Sequence, residues 1–307
     1  MELQTTESII ENISNTKYFP STMRVSCNDK LTKILFSNTS FRNKTLGMDE
    51  KFHSRKKQEE KIVTKFKVLG VNSLDELERA VFDICISEQL AGNCFTTISA
   101  IYRALIGQVG NQNVRPMKNQ FGAIVKAIEK LMAAEISFQN IGDNLKILGY
   151  TKSNANFSLQ SSNILPAVLF KETSCRVNGK DTEFVLYFHC LSPIFEIANL
   201  KSQILRYPHE LFNVPNQNNT PRVIAIKSYV MRRITEIKAH RQLEHTITFD
   251  DVFTKCRMEN SPRNVKMDAR NAIVKLFEHL KENNFISDFE LVKNSQTQKI
   301  VSIKFSS

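Results

Sequence analysis

The sequence predicts an α+β protein built twice on one plan, three helices followed by a β-hairpin, behind a basic N-terminal stretch. Three observations carry this expectation. Apolar residues recur at helical spacing in two separate regions, 73–132 and 221–280. Each region gives way to extended patterns rich in Val, Ile, Leu and Phe. Between them, Pro208, Pro215 and the polar run Asn216 to Thr220 punctuate the chain as a domain boundary does. The expected organisation is a partly ordered basic region over 1–70, a first helical domain with a β extension over 71–215, and a second over 221–307.

Residues 1–70 show weak periodicity, with Leu31, Ile34, Leu35 and Phe36 set among Ser, Asn and Thr. From Ser73 the pattern sharpens. Ser73 and Glu76 read as a capping box, and Leu74, Leu77, Ala80, Val81, Ile84 and Cys85 form one helical stripe. Ala91-Gly92-Asn93 breaks that helix, and Thr96 is placed to cap a second one carrying Ile98, Ile101, Tyr102 and Leu105. Pro116 suits the first position of a third, whose apolar stripe is Met117, Phe121, Ile124, Val125, Ile128, Leu131 and Met132. Ile136 and Phe138, then Leu145, Ile147 and Leu148, alternate as a hairpin would.

Two further apolar segments, Ile164 to Phe170 and Glu183 to Cys190, are joined through Asn178-Gly179. That pair is the strongest short hairpin signal, since a type I′ turn needs positive φ at both central residues. Ser192-Pro193 reads as an N-cap and first-turn proline.

After the boundary the order recurs. Pro221 starts a helix, Thr248 caps a short one, and Ser261-Pro262 precedes a long one with Val265, Ala269, Ala272, Ile273, Leu276, Phe277 and Leu280 inward. Residues 285–292 and 300–305 flank a polar turn as a closing hairpin. Three helices and a hairpin are the order of a winged helix, so two winged-helix domains are expected, the first with a β-hairpin extension.

Composition narrows the function. The chain has 307 residues and 42 Lys and Arg against 31 Asp and Glu, a formal charge of +11. The excess is +5 over 1–70, −1 over 71–150 and +7 over 151–307. A run from Lys51 to Lys67 holds seven basic residues opposed only by Glu59 and Glu60, which suits either a solvated arm or a polyanion contact. With 41% apolar residues, global disorder is excluded. No apolar run approaches the ~18 residues of a membrane span and no apolar signal core follows the start, so a soluble, cytoplasmic protein is expected. Six scattered cysteines without a Cys-x-x-Cys pair indicate reduced packing residues.

Signatures for phosphate loops, dinucleotide folds, serine hydrolases and zinc proteases are missing from the sequence, so neither an enzyme nor a cofactor or metal site is expected. His240 and His245, five residues apart, read as surface residues.

A helix-turn-helix reader places its last helix in the major groove of double-stranded DNA, with its first turns at base edges. Arg263, Asn264, Lys266, Arg270 and Asn271 occupy those turns, with Lys266 and Arg270 expected opposite the apolar stripe. Arg pairs with guanine O6 and N7, and Asn with adenine N6 and N7. Arg232, Arg233 and Arg241 near the end of the preceding long helix, with Lys293 and Lys299 at the wing, are expected at phosphates. In the first domain Arg115 and Lys118 hold the equivalent positions, although its near-neutral charge suits dimerisation as well.

The segments Thr96 to Met132, Leu191 to Asn213 and Pro221 to Phe305 make the chain resemble theta-type, iteron-binding plasmid replication initiators. Pro221 to Lys238 is also similar to uncharacterised proteins of bacterial mobile elements. The resemblance implies a plasmid or phage initiator without catalysis. Such a protein binds repeated origin sites as a monomer, represses its own transcription as a homodimer and recruits host replication proteins. The long N-terminal region departs from a minimal initiator and suits an added partner-binding arm. A transcriptional regulator, or a protein-interaction scaffold with merely solvated basic faces, fits the same residues.

Overall fold

The computed structural model of the chain describes residues 20–37, 40–42, 44–53, 59–139, 161–173, 183–240, 243–296 and 300–306. Over them, helices alternate with small antiparallel sheets in an α+β arrangement. Residues read from the sequence as a basic arm contribute four elements: β1 (Met23–Cys27), α1 (Lys30–Leu35), β2 (Leu46–His53) and β3 (Glu59–Leu69). Asp29 caps α1 by accepting from the Thr32 amide at 3.0 Å. Val25, Cys27, Leu31, Leu35, Phe36, Phe41, Phe66 and Val68 are buried in the first of two cores, so parts of this stretch belong to the packed fold.

The first unit runs α2 (Glu76–Leu90), β4 (Phe95–Thr97), α3 (Ile98–Leu105), α4 (Lys118–Ala133), β5 (Glu135–Gln139), β6 (Ser161–Asn163), β7 (Ala167–Thr173), β8 (Glu183–Phe188) and α5 (Pro193–Leu200). Its caps fall slightly later than the sequence suggests. Asp75 rather than Ser73 caps α2, accepting from the Leu77 and Glu78 amides while Glu78 accepts from the Asp75 amide at 2.7 Å. Thr97, the last residue of β4, rather than Thr96 caps α3, its side chain accepting from the Ala100 amide. Met117, the first residue of the expected stripe, is the N-cap of α4 and is 71% exposed, so Pro116 lies in the preceding loop rather than at the first helical position.

The hairpin expected to close this unit is differently partnered. Glu135–Gln139 pairs with β3, and the four-stranded sheet runs β2-β3-β5-β6. Leu145, Ile147 and Leu148 lie outside the described residues. Alternation shows that Ile136 and Phe138 are in a strand but not which strand they meet. Their burial, with Phe138 6.1 Å from the Phe66 ring, selects β3. The strands that join β4 are β7 and β8, in the order β4-β8-β7, and these are the segments read from sequence as an extension. The Asn178-Gly179 turn between them lies outside the described residues.

The second unit runs β9 (Ile204–Pro208), a 3-10 turn His209–Phe212, α6 (Pro221–Ala239), β10 (Thr246–Thr248), α7 (Phe249–Lys255), α8 (Arg263–Glu282), β11 (Asp288–Lys293) and β12 (Ile300–Ser306). Thr220 and Thr248 cap α6 and α7, and Pro221 takes the first turn, as the sequence implies. The sheet order is β10-β12-β11. Apart from β5 and β6, inserted between α4 and β7, both units follow one connectivity: helix, short strand, two helices, hairpin, with the short strand bonded to the hairpin's second strand. Leu205, Tyr207, Leu211 and Phe212 already pack in the second core, whereas Ile224 of α6 packs in the first.

The two units meet along a buried polar seam where α2 packs on α6 and β1 pairs with β9. Arg24 of β1 is fully buried. It donates to the Ala80 carbonyl at 3.1 Å and the Ser228 hydroxyl at 3.0 Å, and lies 4.6 Å over the Phe212 ring. Arg79 donates to the Cys27 carbonyl at 2.6 Å, and Arg232 is ion-paired with Glu76. Lys227 donates at 2.7 Å to both the Phe212 carbonyl and Asn219 Oδ1, while burial and the Arg24 charge depress its pKa to about 7.

A glycine permits the close approach at the end of α3. Gly107 has φ +78°, and a Cβ there would lie 2.4 Å from the Asn213 nitrogen and 2.7 Å from the His209 oxygen. Gly107→Ala is expected to cost about 1–3 kcal/mol, combining a left-handed backbone with a clash against backbone atoms that cannot swing away. A lowered urea midpoint at unchanged m-value checks this, and an unchanged midpoint rejects it.

Candidate nucleic-acid interface

Helix α8 is held by Ala269, Ile273, Leu276, Phe277 and Leu280 in the second core, with Ala272 also buried. Turning that stripe inward leaves Arg263, Asn264, Met267, Asp268, Asn271 and Lys275 exposed. The first turn carries no acidic residue, so the positive end of the helix dipole is not neutralised there. Arg263, Asn264 and Asn271 therefore stand exposed on the first turns of α8.

Lys266 and Arg270 do not. The Arg270 guanidinium sits 5.6 Å over the Phe249 ring and 5.2 Å over the Phe253 ring of α7. Lys266 lies 5.8 Å over Phe253 and donates to the Glu259 carbonyl. Both are half-buried on the α7 side of α8, because positions 266 and 270 precede Ile273 and Phe277 by seven residues and share the edge of the same apolar stripe. The expectation that they lie opposite that stripe is corrected.

The expected phosphate contacts separate as well. Arg232 is 4% exposed and belongs to the seam, so it is removed from any surface role. Arg233 is partly exposed and pairs with Glu236 at 2.8 Å. Lys293 is exposed at the end of β11, whereas Arg241 and Lys299 lie outside the described residues. Lys118 is exposed at the start of α4, and Arg115 is half-buried in the preceding loop.

Beside α8 runs a groove of about 840 Å³, lined by the 216–218 segment, the start of α6, one side of α8, and Leu291 and Ile300 of the hairpin. The first turns of both α6 and α8 reach it, and neither contains an acidic residue. Asn216, Gln217, Asn218, Thr220, Arg222 and Lys275 give it hydrogen-bond donors, opposed by Asp268 and Glu278. In the sequence 216–220 has the composition of a boundary, and Arg222 and Lys275 are not among the expected contacts. The available signal was a polar amide run directly before a proline-started helix with a basic second residue.

Among the described residues no group of three or more His, Cys, Asp or Glu could hold a metal ion, and no helix is long and apolar enough to cross a membrane. Cys27 and Cys85 are buried as packing residues, but Cys94 and Cys190 are exposed, and Cys175 lies outside the described residues. His245 stacks on Phe305 at 5.3 Å. No protein-family model matches the chain, and no curated protein matches it.

Proposed function

We propose that the chain is a sequence-specific double-stranded DNA-binding protein of the tandem winged-helix class, with α8 as the reading helix. Its particular role in this proposal is replication initiator of a plasmid or phage, the reading that accommodates two units of one connectivity on a single chain. The observation that carries it is the exposed start of α8, with Arg263 and Asn264 open to solvent and Asn271 lining a groove that holds further donors. With α8 in the major groove, Arg263 donates to guanine, Asn264 and Asn271 face adenine, and Arg222, Lys275 and the amides of 216–218 hold the adjoining phosphates. Lys293 extends the contact from the hairpin. Lys118 supplies a second, weaker one in the first unit, and homodimerisation and host replication proteins belong to the same reading.

A salt titration tests it. Log Kobs on random duplex is expected to fall steeply with log[salt], by about 0.9 per phosphate contacted, and no binding at ~50 mM salt would sink the proposal. On the cognate site Arg263→Ala is expected to cost about 1–3 kcal/mol with little effect on random DNA. Arg270→Ala should instead lower stability and leave the cognate-to-random ratio unchanged, and a collapsed ratio would return Arg270 to the reading face.

The apolar part of the groove, chiefly Val223, Val265, Leu291 and Ile300, supports a second reading as a protein-docking scaffold. That reading gains if duplex binding is missing while Leu291→Lys abolishes capture of a protein partner.

A further inference from the structure

We infer that the β2–β3 ribbon is a separate DNA contact, a two-stranded arm that holds the phosphate backbone without reading sequence. This rests on the DNA-binding reading above but on a different surface of the chain. β2 and β3 pair without interruption from Leu46↔Phe66 to His53↔Glu59. β5 pairs with β3 only from Lys65 to Leu69, so β3 from Glu59 to Thr64 has β2 as its sole strand neighbour among the described residues. At ~3.4 Å per residue, those six positions carry the ribbon roughly 20 Å past the sheet. A two-stranded ribbon is also an element that the major groove admits.

The charge is sorted along this ribbon. With the two-residue period of a strand, positions 61, 65 and 67 share one face of β3, and the register sets position 51 of β2 opposite position 61. All four are lysine. Phe66 and Val68, on the alternate positions, are buried in the first core, while Lys65 and Lys67 are exposed and take part in no ion pair among the described residues. The register sets Gly47 opposite Lys65, so no side chain from β2 covers it. By register, positions 49 and 59 alternate with the same set as 51, 61, 65 and 67, and positions 50 and 60 with the other, so the first set holds four Lys against one Asp and one Glu. A polyanion laid on that face meets this excess of lysine, and duplex DNA offers one phosphate per ~1.7 Å of axis.

The test is the salt dependence of the full chain on random and cognate duplex, with Lys51, Lys61, Lys65 and Lys67 all changed to Gln. Each phosphate-bound lysine lost should lower the slope by about 1, so a drop of about 3–4 is expected, with the cognate-to-random ratio unchanged. Lys65→Gln with Lys67→Gln alone should give about half of that, and decides the matter if the fourfold variant unfolds. The fourfold Lys→Arg variant should retain the slope. A drop below about 1, or a lost cognate-to-random ratio, overturns the ribbon contact while leaving α8 as the reader. Loss of binding to anionic lipid vesicles with an unchanged duplex slope overturns it in favour of a membrane contact. If the Gln variant loses its slope while Arg263→Ala has no effect, the ribbon stands and the α8 reading falls. A wild-type chain that binds no DNA at ~50 mM salt overturns both.

Discussion

Arg232→Ala is expected to destabilise the protein by about 3–5 kcal/mol, the usual consequence of removing one partner of a buried ion pair. Arg232 reaches from α6 across the seam to Glu76, with Asp83 a further 4.0 Å contact, and all three side chains are buried. Burial works to lower the Arg232 pKa, but Glu76 and Asp83 outweigh it and hold the guanidinium charged. Alanine would leave the Glu76 carboxylate buried without its ion-pair partner. Urea unfolding checks the magnitude. The double variant Arg232→Met with Glu76→Leu should recover most of the loss, because two apolar side chains need no mutual compensation. If Arg232→Ala left stability unchanged and weakened DNA binding uniformly, the phosphate role assigned from sequence would be restored.

The second large effect is acid sensitivity at His209. Its ring is 2% exposed, and Nδ1 is 3.2 Å from the Ala104 carbonyl of α3. Its own amide donates to Thr22 beside β1 at 3.0 Å. Burial, with help from the Arg24 charge, lowers the pKa to about 3. A histidine depressed in this way binds its proton more readily unfolded, so its stabilising neutral form is fully expressed above about pH 6.5 and lost as pH falls towards 3. Between pH 7 and pH 4 the loss should amount to about 3 kcal/mol. Glu78 acts in the opposite sense, since burial and the Asp75 contact raise its pKa to about 7 and its protonation favours the fold. Comparing wild type with His209→Gln at both pH values therefore isolates the histidine. An equal pH dependence in the two proteins would show that His209 is not the group responsible.

Much of the second unit was legible from sequence because its signals are local. Pro221 and Thr248 mark helix starts by their own backbone chemistry, and the stripe from Val265 to Leu280 names the inward face of α8 without any neighbour. The same stripe also contained the correction for Arg270. Its edge includes position 270 once Ile273 and Phe277 are placed inside, and the nearby Phe249 and Phe253 supply the rings it covers. Arg232 was not legible in that way. Nothing in PRVIAIKSYVMRRITEIK distinguishes the buried Arg232 from the partly exposed Arg233, since the acid that receives Arg232 lies at position 76.

The sequence by itself determined which segments are helix and strand over most of this chain, and that a basic excess sits at its two ends. Periods of 3.6 and 2 residues, caps and prolines act within a few residues of themselves. Only the tertiary structure decided that β5 belongs to β3, that β7 and β8 close on β4, and that Val25, Leu31, Leu35, Phe36, Phe41, Phe66 and Val68 enter the core. It also decided which arginines become a seam and which remain available to a partner. Those outcomes depend on contacts between residues far apart in the chain, where burial and charge pairing, rather than local propensity, select among partners the pattern leaves equivalent.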